Sequence, residues 1–507
     1  MKKKLTGLVA ILSVLSLAVA LCGCAGDKKG DSSDSITIGI PQDIEETLDP
    51  HNMVAAGTKE IFFNVFEGLV KPDSDGNIVP AVASEYTVSD DGLTYTFTIR
   101  DGVKFHDGTL VTAEDVQYSM NKCADIEGGN PMIPALSNIA SVDIVDDTHV
   151  AVVLKSADND FLANIATVSA AIIPMHNTDP SKSAIGTGPY KYISRSPLEN
   201  VIFEKYDEYW GEAAYIQNVT FKICSNSDTI PMEFEGGSID MMTHLTNSIR
   251  QQIDTDKFEV SAGTMNLVQA LYLNHNFEPF ANEDVRKAMC YAVDREAILD
   301  FVSDGEGVII GSSMYPNFRK YYDASLADAY PHDTEKAKEL LKKAGYENGF
   351  EFEVTVPSNY TQHVQTATVI KEQLAEVGIT VNIKQVDWDT WLSETYIGRN
   401  YDATVIGVDA AQLTASSLLA RFVSDAGNNF TNYTSTAYDN AYKKAFEERD
   451  EATQTELFKD CVKMLSDDAA NVYIQDLPEF VALSKKYTGY EFYPVYVIDV
   501  AKIRPAK

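Results

Sequence analysis

The segment from Phe350 to Val386 reads FEFEVTVPSNYTQHVQTATVIKEQLAEVGITVNIKQV, and it decides the fold class. Apolar and β-branched residues dominate its two ends, 350–356 and 379–386, which predicts a strand at each end. The apolar spacing over 364–377 predicts a helix that stops before Gly378. A strand–helix–strand order favours parallel pairing with a right-handed crossover. The segment therefore predicts an α/β protein.

The flanking sequence continues this pattern. Residues 402–408 (DATVIGV) form a near-continuous apolar run, as expected for a strand buried on both faces. Residues 283–302 are predicted to form a single amphipathic helix. A further helix is predicted to begin after Asp333, its N-cap, and to end before Gly345.

A different pattern occupies the N-terminal part of the chain. The run from Thr94 to Arg100 alternates strictly, which places Tyr95, Phe97 and Ile99 on one face of a strand. Thr112 is the predicted N-cap of the next helix. Further strands are predicted at 142–145 and 149–154. Together these elements predict a separate α+β unit.

Composition and charge restrict the class of protein. The chain has 507 residues, which predicts two to four domains, and 45% of them are apolar, enough for packed cores. It carries 41 Lys or Arg against 75 Asp or Glu, a formal net charge of −34. Such acidity argues against nucleic acid and against anionic lipid as the main partner, because both repel a negative surface.

The N-terminus predicts export and anchoring. Three lysines precede the apolar run Leu5–Leu21, so residues 1–23 are predicted to be a signal peptide. The string Leu21-Cys22-Gly23-Cys24 resembles a bacterial lipobox, in which Cys24 would carry the lipid and residues 24–34 would form a tether. The alternatives are an ordinary signal peptide and an uncleaved anchor. The predicted location is the cell membrane, facing the extracellular side or the periplasm.

The remaining cysteines and the histidines predict no reactive centre. Four scattered cysteines are expected to be buried small side chains, although a Cys290–Cys461 bridge stays open for an exported protein; the other two are Cys123 and Cys224. No two histidines lie four residues apart, and the chain has no P-loop and no Gly-x-Ser-x-Gly. We therefore predict no metal, no cofactor and no catalytic residues.

Several short motifs together carry a family resemblance. The first group lies between Gly68 and Val116 and includes Phe105-His106-Asp107-Gly108. Further motifs follow in order: Gly186-Thr187-Gly188-Pro189-Tyr190, Tyr209-Trp210-Gly211, Gly237-Ser238-Ile239-Asp240, Asp284-Val285-Arg286-Lys287-Ala288 and Glu335-Lys336-Ala337-Lys338. The chain resembles the family 5 extracellular solute-binding proteins, which are the oligopeptide, dipeptide and nickel binders of ABC importers.

The resemblance implies a two-lobed, periplasmic-binding-protein-like fold with an extra α+β domain inserted in lobe I. Lobe I would comprise 35–63, 183–270 and 486–507, the insert 64–182, and lobe II 271–485. The implied function is capture of a solute, preferably a short peptide, between the lobes of a monomer and its delivery to an ABC permease. The alternatives are a non-peptide solute such as a metal chelate, a sugar or an opine-like compound, a secreted hydrolase, and a structural or adhesion lipoprotein.

Candidate ligand contacts follow from strand ends and from the resemblance. Ligands of open α/β sheets lie beyond the carboxyl ends of strands, which favours Asn359, Tyr360 and Asp409. Trp388 and Trp391 lie between the strands concerned and offer large amphipathic surfaces, with the lobe core as their alternative position. The resemblance adds a set of three further contacts: Asn52, Met53 and Asn274.

Asp409 has a specific expected role. The resemblance implies an Asp that fixes the α-ammonium of a bound peptide, in the pattern Gly-x-x-x-Asp. Counted from Gly407, that position holds Ala411, and Asp409 comes two residues early. Either the loop is shifted and Asp409 serves as the anchor, or the anchor is lost. A third alternative is that Asp409 only caps a helical turn near Thr414.

Overall fold

The structure is a computed structural model that describes residues 34–131, 133–410 and 413–507. The predicted signal peptide, Cys24, the tether up to residue 33 and Ala411 lie outside the described residues. Within the described ranges, no helix is both long and apolar enough to cross a membrane.

The strands are numbered here in chain order. They are β1 (Ser35–Ile40), β2 (Val70–Pro72), β3 (Ile78–Pro80), β4 (Ala83–Val88), β5 (Thr94–Ile99), β6 (Ile139–Asp146), β7 (His149–Leu154), β8 (Tyr190–Ser196), β9 (Asn200–Lys205), β10 (Asn218–Ile223), β11 (Met241–Leu245), β12 (Phe258–Thr264), β13 (Leu267–Leu273), β14 (Val308–Ile309), β15 (Glu351–Pro357), β16 (Thr380–Val386), β17 (Ala403–Asp409), β18 (Val472–Asp476), β19 (Pro478–Ser484), β20 (Tyr487–Thr488) and β21 (Arg504–Pro505).

The α-helices lie between and around these strands. They are Ala56–Phe62, Ala113–Cys123, Phe161–Ile165, Ile230–Glu235, Asn247–Arg250, Glu278–Ala281, Glu283–Ala292, Arg295–Ser303, Thr334–Lys343, Thr361–Ala375, Trp388–Thr390, Ala415–Leu419, Thr436–Glu447 and Glu451–Asp467, and a π-helix covers Trp391–Ile397.

Three sheets organise the molecule. A seven-stranded sheet has the order β12-β19-β11-β1-β10-β9-β8, and a six-stranded sheet has the order β14-β18-β13-β17-β15-β16. A four-stranded sheet, β4-β5-β7-β6, packs with the helix Ala113–Cys123 around a core of its own. We use "first lobe" for the part built on the seven-stranded sheet and "second lobe" for the part built on the six-stranded sheet. The mixed α/β fold predicted from the sequence is confirmed.

The segment 350–386 folds as its pattern indicates. Strands β15 and β16 pair in parallel, with Val354 opposite Ile383, and the helix Thr361–Ala375 connects them. The six-stranded sheet has apolar clusters on both faces, because alternate residues of β13 enter different cores. Burial on both faces explains why β17 reads as an almost unbroken apolar run.

The predicted single helix over 283–302 is wrong. The structure has two helices, Glu283–Ala292 and Arg295–Ser303, with extended backbone at Val293. Asp294 accounts for the break, since its side chain accepts a hydrogen bond from the backbone N–H of Ala297 at 3.1 Å and caps the second helix. An N-cap residue favours non-helical backbone angles, so it ends one helix while it starts the next.

Two predicted lobe boundaries differ from the strand pairing. The predicted boundary at 270/271 cuts through β13, which pairs with β17 in the second lobe. The predicted boundary at 485/486 assigns β19 to lobe II, but β19 pairs with β11 and β12 in the first lobe. Both strands are buried and apolar, so their sequences do not reveal which sheet they join. The other divisions between domains stay predictions.

The chain crosses between the lobes at two adjacent places. Met265 and Asn266 connect β12 to β13, while Leu477 alone connects β18 to β19. The backbone N–H of Met265 donates to the carbonyl of Leu477 at 2.8 Å, so the two crossings are joined to each other. Beside them, burial raises the pKa of Asp476 to about 8.

The motifs around His106 and Gly188 are structural. His106 accepts from the backbone N–H of Gly186 at 3.3 Å and contacts the carbonyl of Gly188 at 3.0 Å through its other ring nitrogen. A Cβ at Gly188 would lie 2.4 Å from the carbonyl oxygen of Asn64, which explains the need for glycine. These contacts hold the four-stranded unit against the first lobe and leave His106 no free nitrogen.

Candidate functional site

A cavity of about 290 Å³ lies between the two lobes. The first lobe contributes the segment around the helix Ala56–Phe62, and the second lobe contributes Tyr315 and the end of β17. The crossing at Met265 and Asn266 forms part of the wall. The other contributing segments are 72, 78, 163–168 and 494–497. A concave, largely apolar site that both lobes share is the usual form of a small-molecule site.

The described wall of this cavity carries one acidic and one basic side chain. Asp409 is the last residue of β17, and its exposed carboxylate forms no hydrogen bond or ion pair with another described residue. Lys59 lies on the helix Ala56–Phe62 of the opposite lobe. The cavity therefore combines apolar walls with opposite charges on different lobes.

Two tyrosines line the cavity near Asp409. Burial raises the pKa of Tyr496, and the negative charge of Asp409 shifts it in the same direction. Tyr315 is almost completely buried, and burial together with the charges of Asp476 and Asp409 raises its pKa as well. Both phenols therefore stay protonated at neutral pH. No cationic side chain among the described residues lies within ion-pair distance of Asp409 to balance its negative charge.

A charged cluster supports the first-lobe wall from behind. His244 contacts Glu60 Oε1 through Nε2 and Glu479 Oε2 through Nδ1, each at 2.9 Å. Burial alone would lower the pKa of His244, but the two carboxylates outweigh burial and hold that pKa well above its usual value. The ring of Tyr496 lies 5.7 Å from that of His244, so the cluster and the cavity wall are in contact.

The structure brings only one of the predicted ligand contacts into the cavity wall: Asp409. The alternative in which Asp409 caps the turn near Thr414 is not what the structure has. Thr414 is itself the N-cap of the helix Ala415–Leu419 and accepts from the backbone N–H of Ser417. Asp409 is thus left free to face the cavity.

The predicted aromatic residues form a stack outside the cavity wall. The rings of Trp388 and Trp391 are stacked with centroids 5.1 Å apart, and Tyr360 meets Trp388 edge-on at 5.5 Å. Trp391 is 4% exposed and donates from Nε1 to Thr404 Oγ1 at 3.0 Å, whereas Trp388 is 37% exposed. Trp391 is therefore a core residue, and Trp388 and Tyr360 form an open aromatic surface. Asn359 is exposed beside them.

The residues assigned by resemblance lie elsewhere. Met53 is completely buried in the core of the first lobe, so its side chain is not open to a ligand. Asn52 donates to Asp49 Oδ2 at 2.9 Å. Asn274 is buried and donates to the carbonyl of Tyr401 at 2.6 Å, which fixes a loop of the second lobe. These side chains have structural partners and do not line the cavity.

The other lining residues escaped the sequence analysis, among them Lys59, Asn266, Tyr315 and Tyr496. They come from separate segments, and no spacing along the chain relates them. The one available signal was the aromatic string around Tyr493–Tyr496, which has no helix or strand period.

The free thiols and the metal-ligating side chains add no second centre. In the described part of the chain, Cys123, Cys224, Cys290 and Cys461 are all free and buried, so no Cys290–Cys461 bridge forms. Burial raises the pKa of Cys290 and of Cys461 to about 12. No cluster of His, Cys, Asp and Glu among the described residues has the arrangement of a metal site.

Comparison with known proteins agrees with this architecture. Glutathione-binding protein GsiB of Pectobacterium atrosepticum is 25% identical over 469 residues, covering 88% of this chain and 90% of that protein. The ABC transporter substrate-binding protein CtaP of Listeria monocytogenes superposes with a TM-score of 0.83 at 25% identity, covering 94% of this chain and 100% of that one.

Two further structures at 25% identity contain bound solutes. DppA of Helicobacter pylori, in complex with the peptide STSA, has a TM-score of 0.72 and covers 93% of this chain and 98% of its own. AgaA of A. tumefaciens R10, in complex with agropinic acid, has a TM-score of 0.72 and covers 93% of this chain and 99% of its own.

Residues 77–430 match the family described as "Bacterial extracellular solute-binding proteins, family 5 Middle". This match spans most of the chain and includes the four-stranded unit, the crossing into the second lobe and Asp409. The motifs, the two-lobed fold and the shared cavity point in the same direction. The chain belongs to the family 5 bacterial extracellular solute-binding proteins.

Proposed function

We propose that this protein captures short peptides in the cavity between its lobes and delivers them unchanged to the permease of an ABC importer. The observation that carries the proposal is the carboxylate of Asp409, which lines a largely apolar cavity and has no partner among the described residues. A peptide α-ammonium would supply the missing charge through a charge-assisted hydrogen bond, which is stronger than a neutral one. Relatives named for glutathione and solved with the peptide STSA support this ligand class.

The proposal includes where and how the protein works. Lipid attached to Cys24 would hold it at the cell membrane, facing the extracellular side or the periplasm, with residues 24–34 as a tether. It would act as a monomer that closes around its solute and performs no chemistry on it. Cavity walls contributed by both lobes support closure, because a solute in contact with both lobes favours the closed form.

A second candidate is a non-peptide solute in the same cavity. The expected anchor position in the Gly-x-x-x-Asp pattern holds Ala411, which separates this chain from that pattern. The agropinic acid complex of AgaA supports the view that proteins with this fold also take solutes other than peptides.

Native mass spectrometry of freshly purified protein tests the solute class directly, since such a cavity can retain its cargo. Calorimetry with Asp409→Asn then tests the anchor. We expect at least a tenfold loss of affinity for a peptide with a free amine, about 1.4 kcal/mol, and a similar loss for wild type when that amine is acetylated. Asp425→Asn is the matched control, because Asp425 is exposed and lies outside the cavity wall.

Closure and the lack of chemistry need separate measurements. A peptide at about 100 times its dissociation constant should raise the free energy of unfolding by roughly 2.7 kcal/mol. Small-angle scattering should show compaction on binding. A free and an acetylated peptide of equal affinity would contradict the ammonium anchor, and conversion of the peptide by purified protein would contradict simple capture.

A further inference from the structure

Lys59 is the one basic side chain in the described wall of the cavity. It belongs to the helix Ala56–Phe62, on the opposite side from Asp409. Its ammonium forms no hydrogen bond and no ion pair within 4.0 Å with any described residue. Most other lysines of the described chain that are this buried do have such a partner, as Lys71 has in Glu67 and Lys122 in Asp49.

The environment of Lys59 makes an unpaired charge costly. Burial lowers the pKa of Lys59, and the charge of Glu45 only partly offsets this effect. Glu45 is already engaged, because its carboxylate accepts from the backbone N–H groups of Val54 at 2.9 Å and Ala55 at 3.0 Å. An anion placed in the cavity would therefore gain a partner that the protein itself does not satisfy.

A second polar group of the wall is also unsatisfied. The hydroxyl of Thr167 is buried and has no hydrogen-bond partner among the described residues. Thr167 lines the same cavity as Lys59. The hydroxyl oxygen of Thr167 has almost no surface that solvent can reach, so other atoms of this residue form the cavity wall. Lys59 is therefore the charged donor that the described wall presents without a partner.

From these observations we infer that Lys59 binds the carboxylate of the solute, so that the preferred solute is a small zwitterion that joins the two lobes by its opposite charges. The inference rests on the proposed function, which assigns the ammonium of the solute to Asp409. It adds a protein partner, Lys59, for the carboxylate at the other end of the solute.

The cavity size agrees with a short solute. Its volume of about 290 Å³ lies near the lower end of the range for small-molecule sites, about 300–1,000 Å³, which favours a short solute over a long extended one. The walls between the two charges are apolar and aromatic, with Phe63 and Tyr496 among them, so they accept apolar side chains. A solute that lacks either charge would leave one protein charge unpaired in a desolvated site.

The test uses three dipeptides, Ala-Leu, Ala-Phe and Gly-Val, each with free termini, with an amidated carboxyl end and with an acetylated amino end. Calorimetry on wild type should give at least tenfold weaker binding for the amides than for the free dipeptides. Lys59→Met should lose at least tenfold in affinity for the free dipeptides and little for the amides, because the lost interaction is the same one. Lys59→Arg should keep the preference for the free carboxylate.

The control variant is Lys443→Met, which removes an exposed lysine that pairs only with Glu447. It should bind all probes as wild type does. If free and amidated dipeptides bind with equal affinity, the role of Lys59 is overturned. The proposed function still stands in that case, provided that acetylation and Asp409→Asn each weaken binding. If none of the free dipeptides binds wild type, the small zwitterion is the wrong solute and the role of Lys59 falls with it, whereas the proposed function falls only if native mass spectrometry also finds no peptide on the protein.

Discussion

The imidazole of His244 lies 2.9 Å from Glu60 Oε1 and thereby joins β11 to the helix that carries Lys59. Glu479 on β19 holds the other ring nitrogen and also accepts from the backbone N–H of His244 at 2.6 Å. The backbone of His244 lies in the left-handed region, at φ +56°, which among residues other than glycine is adopted most readily by Asn, Asp and His. A half-buried imidazolium between two buried carboxylates therefore fixes one wall of the cavity.

Replacement of His244 by Gln should lower the free energy of unfolding by about 3–5 kcal/mol, since two buried carboxylates would lose their cation. Urea unfolding at pH 6.5 measures the loss. His149→Gln is the control, because His149 pairs at the surface with Asp146, and it should change stability by no more than about 0.5 kcal/mol.

The pH dependence of this difference has a definite sign. The pKa of His244 is raised above its usual value, so its stabilising contribution is complete below about pH 6.5 and is lost as the pH rises through the raised pKa. The stability gap between wild type and His244→Gln should therefore shrink in alkaline solution. A gap that stays constant from pH 6 to pH 10 would contradict the imidazolium assignment.

Asp160 should make the contact between the four-stranded unit and the second lobe sensitive to pH. The hydroxyl of Ser416 donates to Asp160, and burial raises the pKa of that carboxyl to about 6. The folded state thus holds the proton more tightly, so stability falls as the pH rises from about 4 to 6 and stays reduced above that range. Asp160→Asn should be close to neutral at pH 4 and more stable than wild type by about 1–3 kcal/mol at pH 8. Thermal unfolding at both pH values checks this, and equal stability at pH 8 would refute it.

Gly188→Ala should destabilise the junction between the first lobe and the four-stranded unit. The added Cβ would meet the carbonyl oxygen of Asn64 at 2.4 Å, where backbone faces backbone and cannot yield easily. We expect a loss of about 1–3 kcal/mol in the free energy of unfolding. Gly427→Ala has open space around the new methyl group and serves as the matched control.

The two stacked tryptophans should differ in how much each contributes to the free energy of unfolding. Trp391→Ala removes a buried indole and its hydrogen bond to Thr404, with an expected cost of about 3–5 kcal/mol. Trp388→Ala should cost about 1 kcal/mol, because its side chain is partly exposed. Because Trp388 lies outside the cavity wall, Trp388→Ala should leave the affinity for Ala-Phe unchanged in calorimetry. A several-fold loss would contradict this and return Trp388 to the site.

Cys24→Ala should transfer the protein from the membrane fraction to the soluble or secreted fraction, because the lipid would be lost. Fractionation followed by mass measurement of the mature N-terminus checks this. An unchanged distribution, with no acyl mass on the wild-type N-terminus, would contradict lipid anchoring.

The sequence was most informative where local chemistry decides the structure. The alternation around Phe97, the cap at Asp333 and the helix stop before Gly378 depend on neighbouring residues, and each was predicted. The break at Asp294 also had a local signal, its capping side chain, but the continuous apolar stripe on both sides concealed it.

The cavity was less predictable because its parts are distant in sequence. Asp409 could be found from the rule about strand ends, whereas Lys59 and Tyr496 meet only after the lobes have folded. Met53 and Asn274 show the opposite failure, since their positions in the chain matched a pattern while packing gave their side chains other partners. The sequence of β19 also does not show which sheet this strand joins, because strand pairing depends on residues that are distant in the chain.

The joined crossings at Met265 and Leu477 have a consequence for how such proteins diversify. The second lobe leaves and re-enters the first through two neighbouring strands, so the covalent connections of residues 267–476 to the rest of the chain run side by side through one narrow neck. Recombination at that neck exchanges the acidic half of the cavity, with Asp409, while the basic half, with Lys59, stays in place. In chimaeras built at these two positions, one parent would supply the contacts to one end of the solute and the other parent would supply the contacts to the other end.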